Sequence, residues 1–187
     1  MFWRRKPSIS DALKDWIIDS FDWADATYGA AWVGNAKLIT PTAQFFTAPS
    51  GQTPEVAQQI ADDIAGLIPV APLPVSPIAA LPDEYRHSYQ SLSDVGGLYI
   101  DDGTERTIQY DASQMRTPMA FINTMAHELM HDRLAPHVDV MPGGAEAHEL
   151  STDLHCITHG FGIFALEGPS QLGWAGYMTQ ESRAYAV

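Results

Sequence analysis

The chain has 187 residues, 45% of them hydrophobic and 18% charged. That is enough apolar material for one core, and it excludes a disordered chain. With 23 acidic residues against 10 basic ones the net charge is -13, which argues against nucleic acid and anionic membrane surfaces as partners.

In chain order, the first signal is a basic start, Met1 to Pro7, with Asp11, Lys14 and Asp15 close behind. A signal peptide needs an apolar run at that point, and no later run reaches the length of a bilayer. The expected compartment is the cytoplasm. Ser10 is a suitable N-cap, and Leu13, Trp16, Ile17, Ile18, Phe21 and Trp23 follow at helical spacing. This predicts a helix over about 10–28, stopped near Gly29. Ala36 to Thr40 reads as a short strand ended by Pro41. Thr53-Pro54-Glu55 opens a second helix, to about Leu67: Thr at the cap, Pro at the first helical position, Glu in the first turn. Pro69 to Pro82 carries five prolines and reads as an extended surface connection with edge-strand character.

Gly96-Gly97 introduces a strand at Leu98 to Ile100, Asp102-Gly103 is a hairpin turn, and Thr107 to Tyr110 is the returning strand. Thr117-Pro118 repeats the Thr-Pro opening and starts a helix to about Ala135, where Pro136 prevents its continuation. Pro142-Gly143-Gly144 is a loop. Ala145 to about Thr158 is a further helix ended at Gly160, and the stretch from Ser170 is expected to be helical. The chain divides into an N-terminal half, 1–82, and a chemically richer half, 83–187, within one expected domain spanning 1–187.

The chemistry concentrates at His127-Glu128-Leu129-Met130-His131. Two imidazoles four residues apart lie on one helix face, so both reach a single metal ion, and the adjacent glutamate is where an activated water needs a base. The flanks are apolar, so these charged groups are expected in a largely buried helix where they need partners. A third ligand is required. Glu149 begins the next helix across a short loop, which favours an antiparallel pair and brings its carboxylate back over the two histidines. Asp153, one turn on, can accept the outer ring N–H of a ligand histidine. The rival third ligand is His137. It needs a sharp left-handed break at Leu134, which costs about 1–2 kcal/mol for a residue with a Cβ.

Other polar groups nearby receive plainer readings. Glu146 suits a helix N-terminus, and His148 is expected to point elsewhere. His155 and His159 read as helix-surface or capping histidines, and Cys156 as a small core residue. As the chain's single cysteine, Cys156 excludes an internal disulfide.

H-E-x-x-H followed by E-x-x-x-D resembles the gluzincin branch of zinc metallopeptidases over about residues 127 to 160. The resemblance implies an α+β, zincin-like fold, in which a small mixed sheet packs on the motif helix and an antiparallel helix carries the second motif. It implies Zn(2+) on His127, His131 and Glu149, with Glu128 as general base and Asp153 as orienter. It implies a peptide or protein substrate, paired by strand addition to a sheet edge corresponding to Thr107–Tyr110. The Trp-rich N-terminal half resembles small bacterial zincin-like proteins. The oxyanion donor that such peptidases use has no motif here, and Tyr177, Tyr185 and His137 are the candidates. The little chain that follows the second motif leads to the expectation of an incomplete cleft wall. The leading expectation is a zinc peptidase. The alternatives are a zincin-fold binding or regulatory module and a purely structural zinc site.

Overall fold

The structure, a computed structural model, describes residues 9–29, 32, 35–78, 96–172 and 176–187. Helix α1 (Asp11–Tyr28) begins as its sequence predicts, with the Ser10 hydroxyl accepting the Leu13 N–H at 3.2 Å, and ends at Gly29 with φ 86°. Helix α2 (Pro54–Leu67) has Thr53 at the cap position in extended geometry, but its side chain does not cap the helix backbone.

Strand β1 (Val75–Pro77) lies in the proline-rich connection, whose residues 79–82 fall outside the described ones. Strands β2 (Gly97–Asp101) and β3 (Arg106–Tyr110) form the predicted hairpin, with Gly103 at φ 81° and Asp102 Oδ1 accepting the Thr104 and Glu105 N–H groups. The sheet is mixed, in the order β1-β3-β2: β1 runs parallel to β3, and β2 antiparallel with Tyr99 opposite Ile108. This corrects one expectation. The 107–110 strand is the centre of the sheet, and the edge that borders the candidate site is β2.

Helix α3 (Pro118–Leu134) carries the first motif. It is buried on most of its circumference, from Ala120, Phe121 and Ile122 through Met125, Ala126, Leu129 and Met130 to Leu134. The reason is its position: α2, β2 and two later helices all pack against it. Ile39, Val56, Ala57, Ile64 and Ile68 from the N-terminal half share one core with Ile108, Met125, Leu129 and Phe164. The fold is therefore α+β, with a three-stranded mixed sheet. Among the described residues no helix is long and apolar enough to cross a membrane.

Beyond α3, Pro136 sits in a short 3-10 turn and Gly143 and Gly144 take positive φ. The expected helix from Ala145 starts as a 3-10 turn and becomes α4 at His148–Cys156. Contacts pair His131 with His148 and His127 with Glu149 and Asp153, so α4 runs antiparallel to α3. A wide turn over Ile157–Phe161 then breaks at Gly160, φ 92°.

Around this break one sequence expectation fails and another is met in part. Residues 36–40 form no strand. Ile39 N–H donates to the Gly160 carbonyl at 3.0 Å, against a glycine whose added Cβ would lie 2.0 Å from Lys37 O. The stretch is extended because it packs on a helix break rather than on a neighbouring strand. The stretch from Ser170, expected to be helical, holds the end of α5 (Gly162–Gln171), which begins well before it, and α6 (Gln180–Ala186). Poor helix formers are held in α5 by tertiary packing: a Cβ on Gly168 would approach Met119 O to 2.8 Å, so only glycine permits this closeness to α3.

Candidate metal centre

The two motif helices bring three donor atoms together. His127 Nε2 and His131 Nε2 are 3.2 Å apart. Glu149 Oε2 lies 3.2 Å from the first and 3.5 Å from the second. Zinc ligands at 2.0–2.2 Å in tetrahedral array are separated by about 3.3–3.5 Å along each edge. The three atoms thus stand as one face of such a tetrahedron, and among the described residues they are the one group of this kind. The donor set, two neutral-capable imidazoles and a carboxylate, is that of catalytic zinc sites with an open position.

Asp153, 4% exposed, takes the Nδ1–H of His127 at 3.0 Å, which leaves the Nε2 lone pair aimed at the shared vertex. Without a cation, the same geometry favours a proton. Burial opposes charge on His127, but the hydrogen bonds to Asp153 and Glu149 and the neighbouring carboxylates outweigh it, pushing the imidazole up to about 10. Hydrogen bonds to His127 and His131 hold the Glu149 carboxyl well below its usual range against burial. Burial likewise opposes the charge on Asp153, and hydrogen bonding with His127 and the Arg183 charge win, so its carboxyl stays low.

Glu128 is 6% exposed and accepts the backbone N–H of Tyr99 on β2 at 2.7 Å. Burial raises its carboxyl above the ordinary value, and the two histidines partly offset that. The strand approaches this closely because residue 97 is glycine: an added Cβ would lie 2.7 Å from Glu128 Cγ. Tyr99 also stacks on His131, with ring centroids 6.1 Å apart at 21°. Its hydroxyl donates to Asp132 at 3.0 Å, and Asp132 is paired in turn with Arg106. Burial, then Asp132, pushes the Tyr99 phenol up to about 12.

A cavity of about 550 Å³ opens over these groups, within the range of ordinary small-ligand sites. It is lined by residues of β2, α3, α4 and α5, with Gly176 and Tyr177. Gly168, Pro169 and Leu172 at the end of α5, with Gly176 and Tyr177, thus contribute to the lining. Comparison with protein-family models, with curated proteins and with solved structures finds no match to this chain.

Tyr177 stands at the site, its ring stacked on His127 with centroids 5.9 Å apart at 14°. Tyr185 is 45% exposed and is not among the residues lining the cavity. His137 is not in the donor group and lies edge-on to Trp23 and Tyr28. Glu146 is exposed on the 3-10 turn. His148, expected to point away, lines the cavity and brings its Nε2 to 3.4 Å from His131 Nδ1, because α4 starts at this residue rather than three earlier. His155 and His159 are not surface groups: they are 0% and 6% exposed, enclosed by Trp23, Tyr28 and Trp32. Cys156 is buried as expected, and burial pushes its thiol up.

Sequence reasoning did not anticipate Gly97, Tyr99, His148 or Arg183. A Gly-Gly pair at the start of a strand facing the motif helix was the available sign for Gly97. The others depend on register and on contacts distant in sequence.

Proposed function

We propose that the chain is a zinc-dependent hydrolase acting on peptides, with a zincin-like arrangement of sheet and motif helices. The supporting observation is the spacing of His127 Nε2, His131 Nε2 and Glu149 Oε2 as one face of a tetrahedron, beside the buried carboxylate of Glu128. Zinc held there would act as a Lewis acid on a carbonyl and make water acidic near neutral pH.

The chain's own groups carry the rest. Asp153 fixes the His127 tautomer. Glu128, held on β2 by the Tyr99 N–H, takes the proton from the attacking water and returns it to the leaving nitrogen. Its burial supports this role, since a raised carboxyl pKa suits proton transfer in both directions near neutrality. Tyr177, whose ring stacks on His127, is the candidate donor to the developing oxyanion. Among the described residues, the cavity lining holds Glu128, Glu149 and Asp153 and no Lys or Arg. That favours neutral or basic peptide segments over acidic ones.

The test is Glu128→Gln in the zinc-loaded protein, assayed by digestion of a broad peptide library with and without chelator. The expected result is unchanged zinc content with hydrolysis lowered by about 10²–10⁴-fold. Turnover retained in that variant contradicts the mechanism, and chelator-insensitive cleavage by the wild type contradicts the metal requirement.

A further inference from the structure

Asp153 is gripped from two sides. Oδ1 faces His127, while Oδ2 accepts Arg183 Nη2 at 2.7 Å and the backbone N–H groups of Tyr177 and Met178 at 2.8 and 2.9 Å. Arg183 is 1% exposed and also donates to the carbonyls of Ala165, 2.9 Å, and Met178, 3.2 Å. The chain turns tightly around the guanidinium at Gly176: φ there is 112°, and an added Cβ would lie 2.0 Å from Arg183 Nη2.

A buried guanidinium stabilises a fold only when its partners are well placed, and a hydrophobic residue usually serves packing as well. This one meets the carboxylate that orients a histidine whose other nitrogen belongs to the metal face. With Oδ2 pinned by three donors, the carboxylate cannot rotate Oδ1 away from the imidazole. We infer that Arg183 is a positioning residue for the metal centre: acting through Asp153 it holds His127 Nε2 at the shared vertex, and it makes the segment Gly176–Val187 part of the site. The inference rests on the metal-centre reading above. By linkage, a cation at the vertex and docking of this segment strengthen each other.

The first experiment measures zinc affinity by competition with a chromogenic chelator for the wild type, Arg183→Met and Arg183→Lys, with circular dichroism to check the fold. Loss of an outer partner of a ligand histidine is expected to weaken zinc binding by about 10–100-fold in Arg183→Met, with Arg183→Lys in between. The His127 ring N–H resonance of the zinc-loaded variant should shift as its bond to Asp153 loosens. A guanidinium that only fills the core would leave that resonance in place.

The second experiment needs no variant. Arg183 is the single Lys or Arg in residues 176–187, so trypsin opens this segment at one bond, and only when the segment is released. Zinc is expected to slow that cut at least about tenfold more than cleavage after Lys14 in α1, following the coupling sizes usual between linked sites. Wild-type zinc affinity in a folded Arg183→Met variant overturns the inference, as does a tryptic rate at Arg183 indifferent to zinc. If Arg183→Met does not fold, the wild-type tryptic rates decide. A wild type that takes up no zinc overturns the metal-centre reading itself and this inference with it.

Discussion

The chain contains two histidine pairs at the same four-residue spacing, His127/His131 and His155/His159, and the structure treats them oppositely. The first pair lies on α3 with Glu149 within 3.5 Å of both Nε2 atoms and Asp153 behind one ring. The second pair turns toward Trp23, Tyr28 and Trp32, and both of its Nε2 atoms are buried without a hydrogen-bond partner among the described residues. The Nδ1 atoms of the second pair are occupied locally, by Thr158 Oγ1 and by the His155 carbonyl. Helical spacing alone thus does not make a metal site. A carboxylate arriving from a second helix completes a group that could hold a metal ion, because it would both supply a donor and compensate the charge of a cation.

The comparison breaks most sharply at the carboxylate. Glu149→Ala is expected to weaken zinc binding by more than about 100-fold, beyond the loss that accompanies an outer partner. His159→Ala should leave the affinity near that of the wild type. Isothermal titration of both variants checks this, and equal losses would erase the distinction between the pairs. Next in size is Tyr177→Phe, expected to lower turnover by up to about 100-fold with zinc affinity unchanged, while Tyr185→Phe changes neither. Steady-state kinetics on a cleaved library peptide reads the difference.

The remaining contrast is in acid stability, where the second pair and His127 differ in sign. Burial lowers His155 to about 3 and His159 to about 4. Their unfolded forms bind protons below roughly pH 6.5 and their folded forms do not. Stability is therefore full above about pH 6.5 and falls as pH drops toward 4, by up to about 1.4 kcal/mol per pH unit for each histidine. His155→Phe should flatten this slope in urea unfolding between pH 4 and 7. His127 works the other way. Raised to about 10 in the metal-free protein, it contributes stability that is complete below its unfolded pKa of about 6.5 and disappears as pH rises through 10. Zinc displaces that proton, so zinc affinity should climb with pH over the same interval.

Much of the fold was legible because its signals are local. Ser10 and Gly29 bound α1, Pro54 and Pro118 open α2 and α3, and Asp102-Gly103 closes the hairpin between β2 and β3. At the site, the sequence reading singled out His127, Glu128, His131, Glu149 and Asp153, and the structure brings these five residues together. Features that depend on distant partners were not legible. Residues 36–40 pack on Gly160 rather than on a strand, α5 exists because Gly168 meets Met119, and β2 rather than β3 is the edge because β1 pairs with β3. The burial of His155 and His159 follows from where α1 lies, which no spacing within their own helix encodes.

The central claim is that His127, His131 and Glu149 share one cation. Diffraction at the zinc edge from crystals grown with zinc tests it most directly. The account predicts an anomalous peak at about 2.0–2.2 Å from His127 Nε2, His131 Nε2 and a Glu149 carboxylate oxygen. An empty position there, or a peak seated instead on His155 and His159, contradicts it.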